Sequence, residues 1–112
     1  MTNQELQYRC RRDIQNRPND FREGDELWYA EACSPDQPDV AVGYAKIKKT
    51  SDDRIVWVDW LHVDQQLRRQ GIATRLMNML IERWPNAEYE AWTADGEEFL
   101  RSFRRKQLER SE

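Results

Sequence analysis

The chain has 112 residues, the size of one domain, so separate cofactor and substrate domains are not expected. Its hydrophobic share is 38% and its mean hydropathy −1.05, which implies a thin layered core in which five tryptophans supply much of the apolar area. With 18 basic against 21 acidic residues the net charge is −3, which argues against nucleic acid as a partner, because neutralising phosphates needs a basic face. One histidine and two cysteines, Cys10 and Cys33, lack any metal-ligand spacing, so no metal is expected and no disulfide is implied. The N-terminus has no apolar signal region, and no stretch approaches the ~18 apolar residues of a membrane span; no membrane partner is expected, and the cytoplasm is the default compartment.

Residues 1–24 are polar and poorly defined, with room for a short strand or helix near Leu6–Arg11 before a loop at Pro18-Asn19-Asp20 and Gly24. Asp25–Ala32 and Val40–Lys49 are strand-like and joined by the turn-rich residues 34–39 into a hairpin. Arg54–Val63 is the most β-prone run and reads as a central strand covered on both faces, with Trp57 and Trp60 in the core on alternate faces. From Gly71 to Trp84 the residues Ile72, Ala73, Leu76, Met77, Leu80, Ile81 and Trp84 form one apolar stripe, which predicts a helix stopped by Pro85-Asn86. Ala87–Thr93 alternates as a strand, and a strand–helix–strand order predicts two parallel strands in one sheet. Asp95, with Glu98 three residues on, predicts a capped terminal helix carrying Phe99, Leu100, Phe103 and Leu108 on its apolar side. The expected fold class is α+β: a twisted mixed sheet of antiparallel N-terminal strands, then a parallel β-α-β unit and a C-terminal helix, in a single domain over 1–112.

Chemistry concentrates in 61–80, where a strand ends and a glycine-containing turn opens directly into the amphipathic helix. The first N–H groups of a helix have no intrahelical acceptor and sit at the positive end of its dipole, a natural seat for an anion. Gly71 lets the backbone approach such an anion, Ala73 keeps the second wall low, and Arg68 and Arg69 add positive charge. A small residue at a helix start also serves close packing, so these residues alone leave both readings open.

The wider pattern, Leu61-His62-Val63-Asp64-Gln65-Gln66-Leu67-Arg68-Arg69-Gln70-Gly71-Ile72-Ala73 followed by Leu76-Met77, closely resembles the central motif of the GNAT N-acetyltransferases. Arg68, Gly71 and Ala73 stand at its three defining positions. The resemblance is clearest over 40–93 and implies a GNAT-like sheet that binds acetyl-CoA as co-substrate. The backbone of Arg69, Gln70, Gly71, Ile72, Ala73 and Thr74 would wrap the pyrophosphate, and the strand edge at Leu61 and Val63 would hold the pantetheine arm and polarise the thioester carbonyl. An amine acceptor, small molecule or protein, would attack directly in a ternary complex. Asp59 stands where many relatives place a glutamate base, although strand alternation would put it with Leu61 and Val63 unless a bulge turns it. His62, the only imidazole, is a second catalytic candidate.

Two departures accompany the resemblance. Phe103 aligns where relatives carry a tyrosine that protonates the leaving thiolate. The link between the first two strands is short, and the sequence stops at Glu112 without the family's last two strands, so a large acceptor or a homodimer partner would complete the acceptor site. The rival readings are a GNAT-like CoA-binding or interaction module with weak or no catalysis, and a small nucleic-acid- or protein-binding domain using Arg101, Arg104, Arg105, Lys106 and Arg110. The bland alternative for that basic cluster is a solvated helix face.

Overall fold

The computed structural model of the chain describes residues 6–16, 18–68, 70–91 and 93–111, side chains excepted at 95 and 106–111. One five-stranded sheet runs in the order β1 (Gln7–Asp13), β2 (Glu26–Ser34), β3 (Gln37–Lys49), β4 (Ile55–Val63), β5 (Glu88–Ala91). The first four strands pair antiparallel. A short 3₁₀ turn at Gln65–Leu67 and helix α1 (Ile72–Arg83) then carry the chain across to β5, which pairs parallel with β4 as the strand–helix–strand order predicts. Helix α2 (Ala94–Ser111) follows.

Alternation along the strands turns Ala30, Ala32, Ala45, Ile47, Val56, Val58 and Ala91 to one face, where they form one buried cluster with Ile72, Leu76, Met77 and Leu80 of α1 and with Leu100 and Phe103 of α2. The α1 residues named are at most 2% exposed, and each such side chain contributes about 1.5–3 kcal/mol by leaving water. Three alanines and Gly43 on β2 and β3 keep the sheet surface low. A Cβ on Gly43 would stand 3.1 Å from Ile72 Cγ2, so this glycine is what lets the first turn of α1 sit down on β3. At the other end of α1, Trp84 meets Trp28 edge-on at 5.2 Å, and the Tyr89 hydroxyl lies 2.9 Å from the Leu80 carbonyl and 2.8 Å from that of Trp84. That burial pushes the Tyr89 hydroxyl up to about 12.

Several expectations are corrected by the packing. The β2–β3 strands continue to a two-residue turn, Pro35-Asp36, instead of ending at a six-residue connection. A tight turn keeps strands paired to its ends, and register shifts at Ala32/Cys33 and Cys33/Ser34 accommodate the extra β3 residues, including Pro38 with no N–H to donate. Helix α2 begins earlier than Asp95: Thr93 is the cap, its Oγ1 accepting the Gly96 N–H at 3.0 Å and its carbonyl the Glu97 N–H at 2.9 Å. Gly96 sits close over Ala91, so the first turn is pulled against β5, and glycine in the third position leaves no capping box. The Asp95 and Leu108 side chains lie outside the described residues. Finally, β4 is covered on one face only. Both helices join the same cluster, and Trp60, expected in the core, is 54% exposed on the opposite face. Trp84 and Met77 are buried as the helical stripe predicts.

Candidate active site

The site begins with a defect in β4. Val58 pairs with Ile47, but the next partner of β3, Lys46, faces Trp60, so Asp59 is an extra residue in the strand. A bulge of this kind breaks the two-residue period. Leu61 and Val63 therefore pack towards the core, while Asp59 and Trp60 turn to the open face. Trp57 and Trp60 consequently share that face rather than alternating, since they stand opposite Lys48 and Lys46, two residues apart on β3.

The second feature is an edge. Among the described residues β5 pairs with β4 only over Ile55–Val58, so from Asp59 to Val63 β3 is the one described partner of the strand. Asp64 donates its N–H to the Val42 carbonyl at 2.8 Å, and backbone groups alternate along a strand. The N–H and C=O of Val63 and Leu61 thus point to the unpaired side, where Arg68 Nε already donates to the Val63 carbonyl at 3.0 Å.

Against this edge lies a cavity of about 540 Å³ lined by Leu61, His62, Val63, Leu67, Arg68, Gly71, Ile72, Ala73, Thr74 and Phe99. Gly71 is the N-cap of α1, at φ 81° and ψ 11°, a left-handed conformation that favours glycine. The cap makes no side-chain hydrogen bond and the first turn holds no acidic residue, so neither offsets the positive end of the helix dipole. The Ile72 side chain is committed to the core, so only its backbone can serve a ligand. Gln70 is exposed beside the turn and does not line the cavity, and Arg69 lies outside the described residues. Phe99, from α2, supplies a wall that the sequence placed only on an apolar helix face.

On the other side of the sheet a cavity of about 660 Å³ is lined by Arg11, Tyr29, Glu31, Ala41, Tyr44, Lys46, Asp59, Trp60 and Thr93. Asp59 Oδ2 is 3.8 Å from Lys46 Nζ. Glu31 is 5% exposed and accepts from Arg9 Nε at 2.9 Å and from Arg11 Nε and Nη2 at 2.8 and 3.3 Å. Burial alone would raise the pKa of the Glu31 carboxyl, but the hydrogen bonds from Arg11 and Arg9 outweigh it and hold the group below its ordinary value. His62 Nε2 lies 3.2 Å from Asp64 Oδ1, and its ring centre is 5.7 Å from that of Tyr44. The two catalytic candidates are therefore not brought into one cavity: Asp59 lines the open-face cavity and His62 the one at the helix end.

Arg11, Tyr29, Glu31, Tyr44, Lys46 and Trp60 were not recognisable as one site from sequence. They come from four strands and meet through cross-strand register, Arg11 opposite Tyr29, Tyr29 opposite Lys46, Lys46 opposite Trp60. The polar-aromatic alternation of each strand was the only local signal. Among the described residues no His/Cys/Asp/Glu group could hold a metal ion, no helix is long and apolar enough to cross a membrane, and Cys10 and Cys33 are free thiols. Two cavities on opposite faces thus flank the unpaired end of one strand, an arrangement suited to bringing two ligands together at that edge.

The sequence profile of the acetyltransferase (GNAT) family matches residues 2–105. No curated protein and no solved structure matches the chain significantly.

Proposed function

The chain belongs to the acetyltransferase (GNAT) family, and from that premise we propose that it transfers an acetyl group from acetyl-CoA to a primary amine by direct attack in a ternary complex. The observation that carries the reading is the unpaired Asp59–Val63 edge with an uncapped helix end on one side and a carboxylate-bearing cavity on the other.

The residues present fit acetyl-CoA. Gly71 brings backbone close to a pyrophosphate without a Cβ in the way, the first turn of α1 offers N–H donors, and Arg68 adds charge at the mouth. The outward N–H groups of Leu61 and Val63 suit the pantetheine amides, and one of them can polarise the thioester carbonyl as negative charge develops on its oxygen. The acceptor enters from the open face. Asp59, whose Oδ2 lies 3.8 Å from Lys46 Nζ, takes one proton of the ammonium, directly or through one water. The amine nitrogen then bonds to the carbonyl carbon and passes its second proton to water, the C–S bond breaks, and the thiolate leaves. Phe103, aligned with the family's tyrosine, is buried and packs on Phe99 at 6.3 Å, so it supplies no proton, and the thiolate takes one from water.

That buried phenyl ring also favours a second reading, a CoA-binding module with little turnover. Titration calorimetry with acetyl-CoA, followed by thiol release in the presence of an amine, separates the two. Binding with amine-dependent thiol release supports transfer, and binding without it supports the module. No heat of binding at millimolar acetyl-CoA would remove both.

A further inference from the structure

Lys46 and Asp59 line the same open-face cavity, an amine beside a carboxylate. Resting on the reading of that cavity as the acceptor side, we propose that Lys46 is itself an acetyl acceptor, modified on Nζ by the acetyl-CoA bound to its own chain. The two side chains meet from neighbouring strands. Lys46 on β3 pairs with Trp60, and the bulged residue before it, Asp59, turns to the same face, where its Oδ2 stands 3.8 Å from Lys46 Nζ. That separation exceeds a direct hydrogen bond, and the lysine side chain is 32% exposed, so the ammonium is not locked in place. The other lysines with described side chains are committed elsewhere. Lys49 is 6% exposed and donates to Asp53 and, at 3.2 Å, to the Thr50 carbonyl. Lys48 lies over the rings of Phe21 and Trp57, with Asp25 at 4.0 Å. Of these three, Lys46 alone lines the cavity that holds Asp59.

Reach favours the transfer. Trp60 is the neighbour of Leu61, where the acyl-transfer reading seats the thioester, and β3 lies one strand spacing of about 4.8 Å from β4. The flexible four-carbon stem of a lysine spans such a spacing, so the nitrogen can swing from Asp59 to the carbonyl without a shift of backbone. An acceptor held in the same molecule also meets the thioester at an effective concentration far above that of a free amine. In the step, one proton of the Lys46 ammonium passes to Asp59 and the nitrogen lone pair bonds to the carbonyl carbon. The second proton passes to water, the C–S bond breaks, and the thiolate takes a proton from water. The products are Nζ-acetylated Lys46 and CoA, and Asp59 returns its proton to solvent. The modified side chain is neutral, so Asp59 loses its cationic neighbour.

Incubation of the protein with acetyl-CoA, followed by peptide mapping in a mass spectrometer, tests this. Acetyl groups should accumulate on Lys46 at least about tenfold faster than on Lys48, Lys49 or Lys106, with a rate constant independent of protein concentration, as transfer within one chain requires. Excess CoA should suppress labelling at Lys46, and the chain unfolded in urea should show no preference for it. Asp59→Asn should slow labelling of Lys46 while acetyl-CoA still binds. Mapping of the unsubstituted protein stands as a test even if that variant unfolds. The proposal is overturned if Lys46 is labelled no faster than the other lysines, if CoA or Asp59→Asn leaves its labelling unchanged, or if the rate constant rises with protein concentration. Acetylation of an added amine with Lys46 unlabelled overturns the proposal and leaves the acyl-transfer reading standing. Absence of acetyl-CoA binding removes both.

Discussion

Gly71 ties the fold and the ligand reading to one residue, and two substitutions separate them. At φ 81° any side chain with a Cβ is strained, by about 1–2 kcal/mol. For a chain of this length that corresponds to a fall in Tm of roughly 4–8 °C. Gly71→Ala and Gly71→Glu should share this loss, because both carry a Cβ and both can keep the Gly71 carbonyl bonded to the Arg75 N–H. They should differ in binding. Glutamate places a negative charge at the positive end of α1, against the phosphates; within ~4 Å at an effective dielectric between those of water and a protein surface, the repulsion is about 1–4 kcal/mol. The affinity for acetyl-CoA should therefore drop at least about tenfold in the glutamate variant beyond any loss in the alanine variant, with the difference shrinking as salt is raised. Urea unfolding measures the first quantity and titration calorimetry the second. Unchanged stability of Gly71→Ala would refute the strain argument. Wild-type affinity in Gly71→Glu would refute the phosphate site.

Asp59→Asn should lower turnover by about 10²–10⁴ and flatten the pH dependence of kcat/KM while leaving acetyl-CoA binding intact; a wild-type profile would clear Asp59 of the base role. Tyr89→Phe removes the hydroxyl that holds the Leu80 and Trp84 carbonyls and should cost about 1 kcal/mol in urea unfolding. Because the Tyr89 pKa is raised in the fold from 10.0 to about 12, its contribution is complete below pH 10 and lost as pH rises towards 12. The phenylalanine variant should lack that part of the alkaline slope, and an identical slope would refute the assignment. Glu31 is the opposite case: held below 4.5, it stabilises the fold above that pH, and this stability is lost as pH falls through its lowered value. Glu31→Gln should be less stable at neutral pH by about 1–2 kcal/mol, the half-exposed arginines keeping the cost modest, with a shallower acid limb in thermal melts.

Local chemistry made the central part of the molecule legible. The 3.6-residue stripe from Ile72 to Trp84, the β-branched run of β4 and the glycine at the turn are each written within a few neighbouring residues, so the β-α-β unit and the helix-end cavity could be placed before any coordinates. Helix α2 was legible as a helix but not in its cap, because Thr93 wins over Asp95 through the close seat of Gly96 on Ala91, a contact between elements. The open-face cavity was not legible at all. Alternation predicted Asp59 with Leu61 and Val63, and Trp57 opposite in sense to Trp60. One bulged residue reversed both, because a strand's period of two carries no information about where its partner skips. Which face the helices leave bare, and which side chains of four strands then share it, is set by register and layer packing. The sequence by itself determined the helix-end turn at Gly71; only the tertiary structure decided what stands across the strand from it.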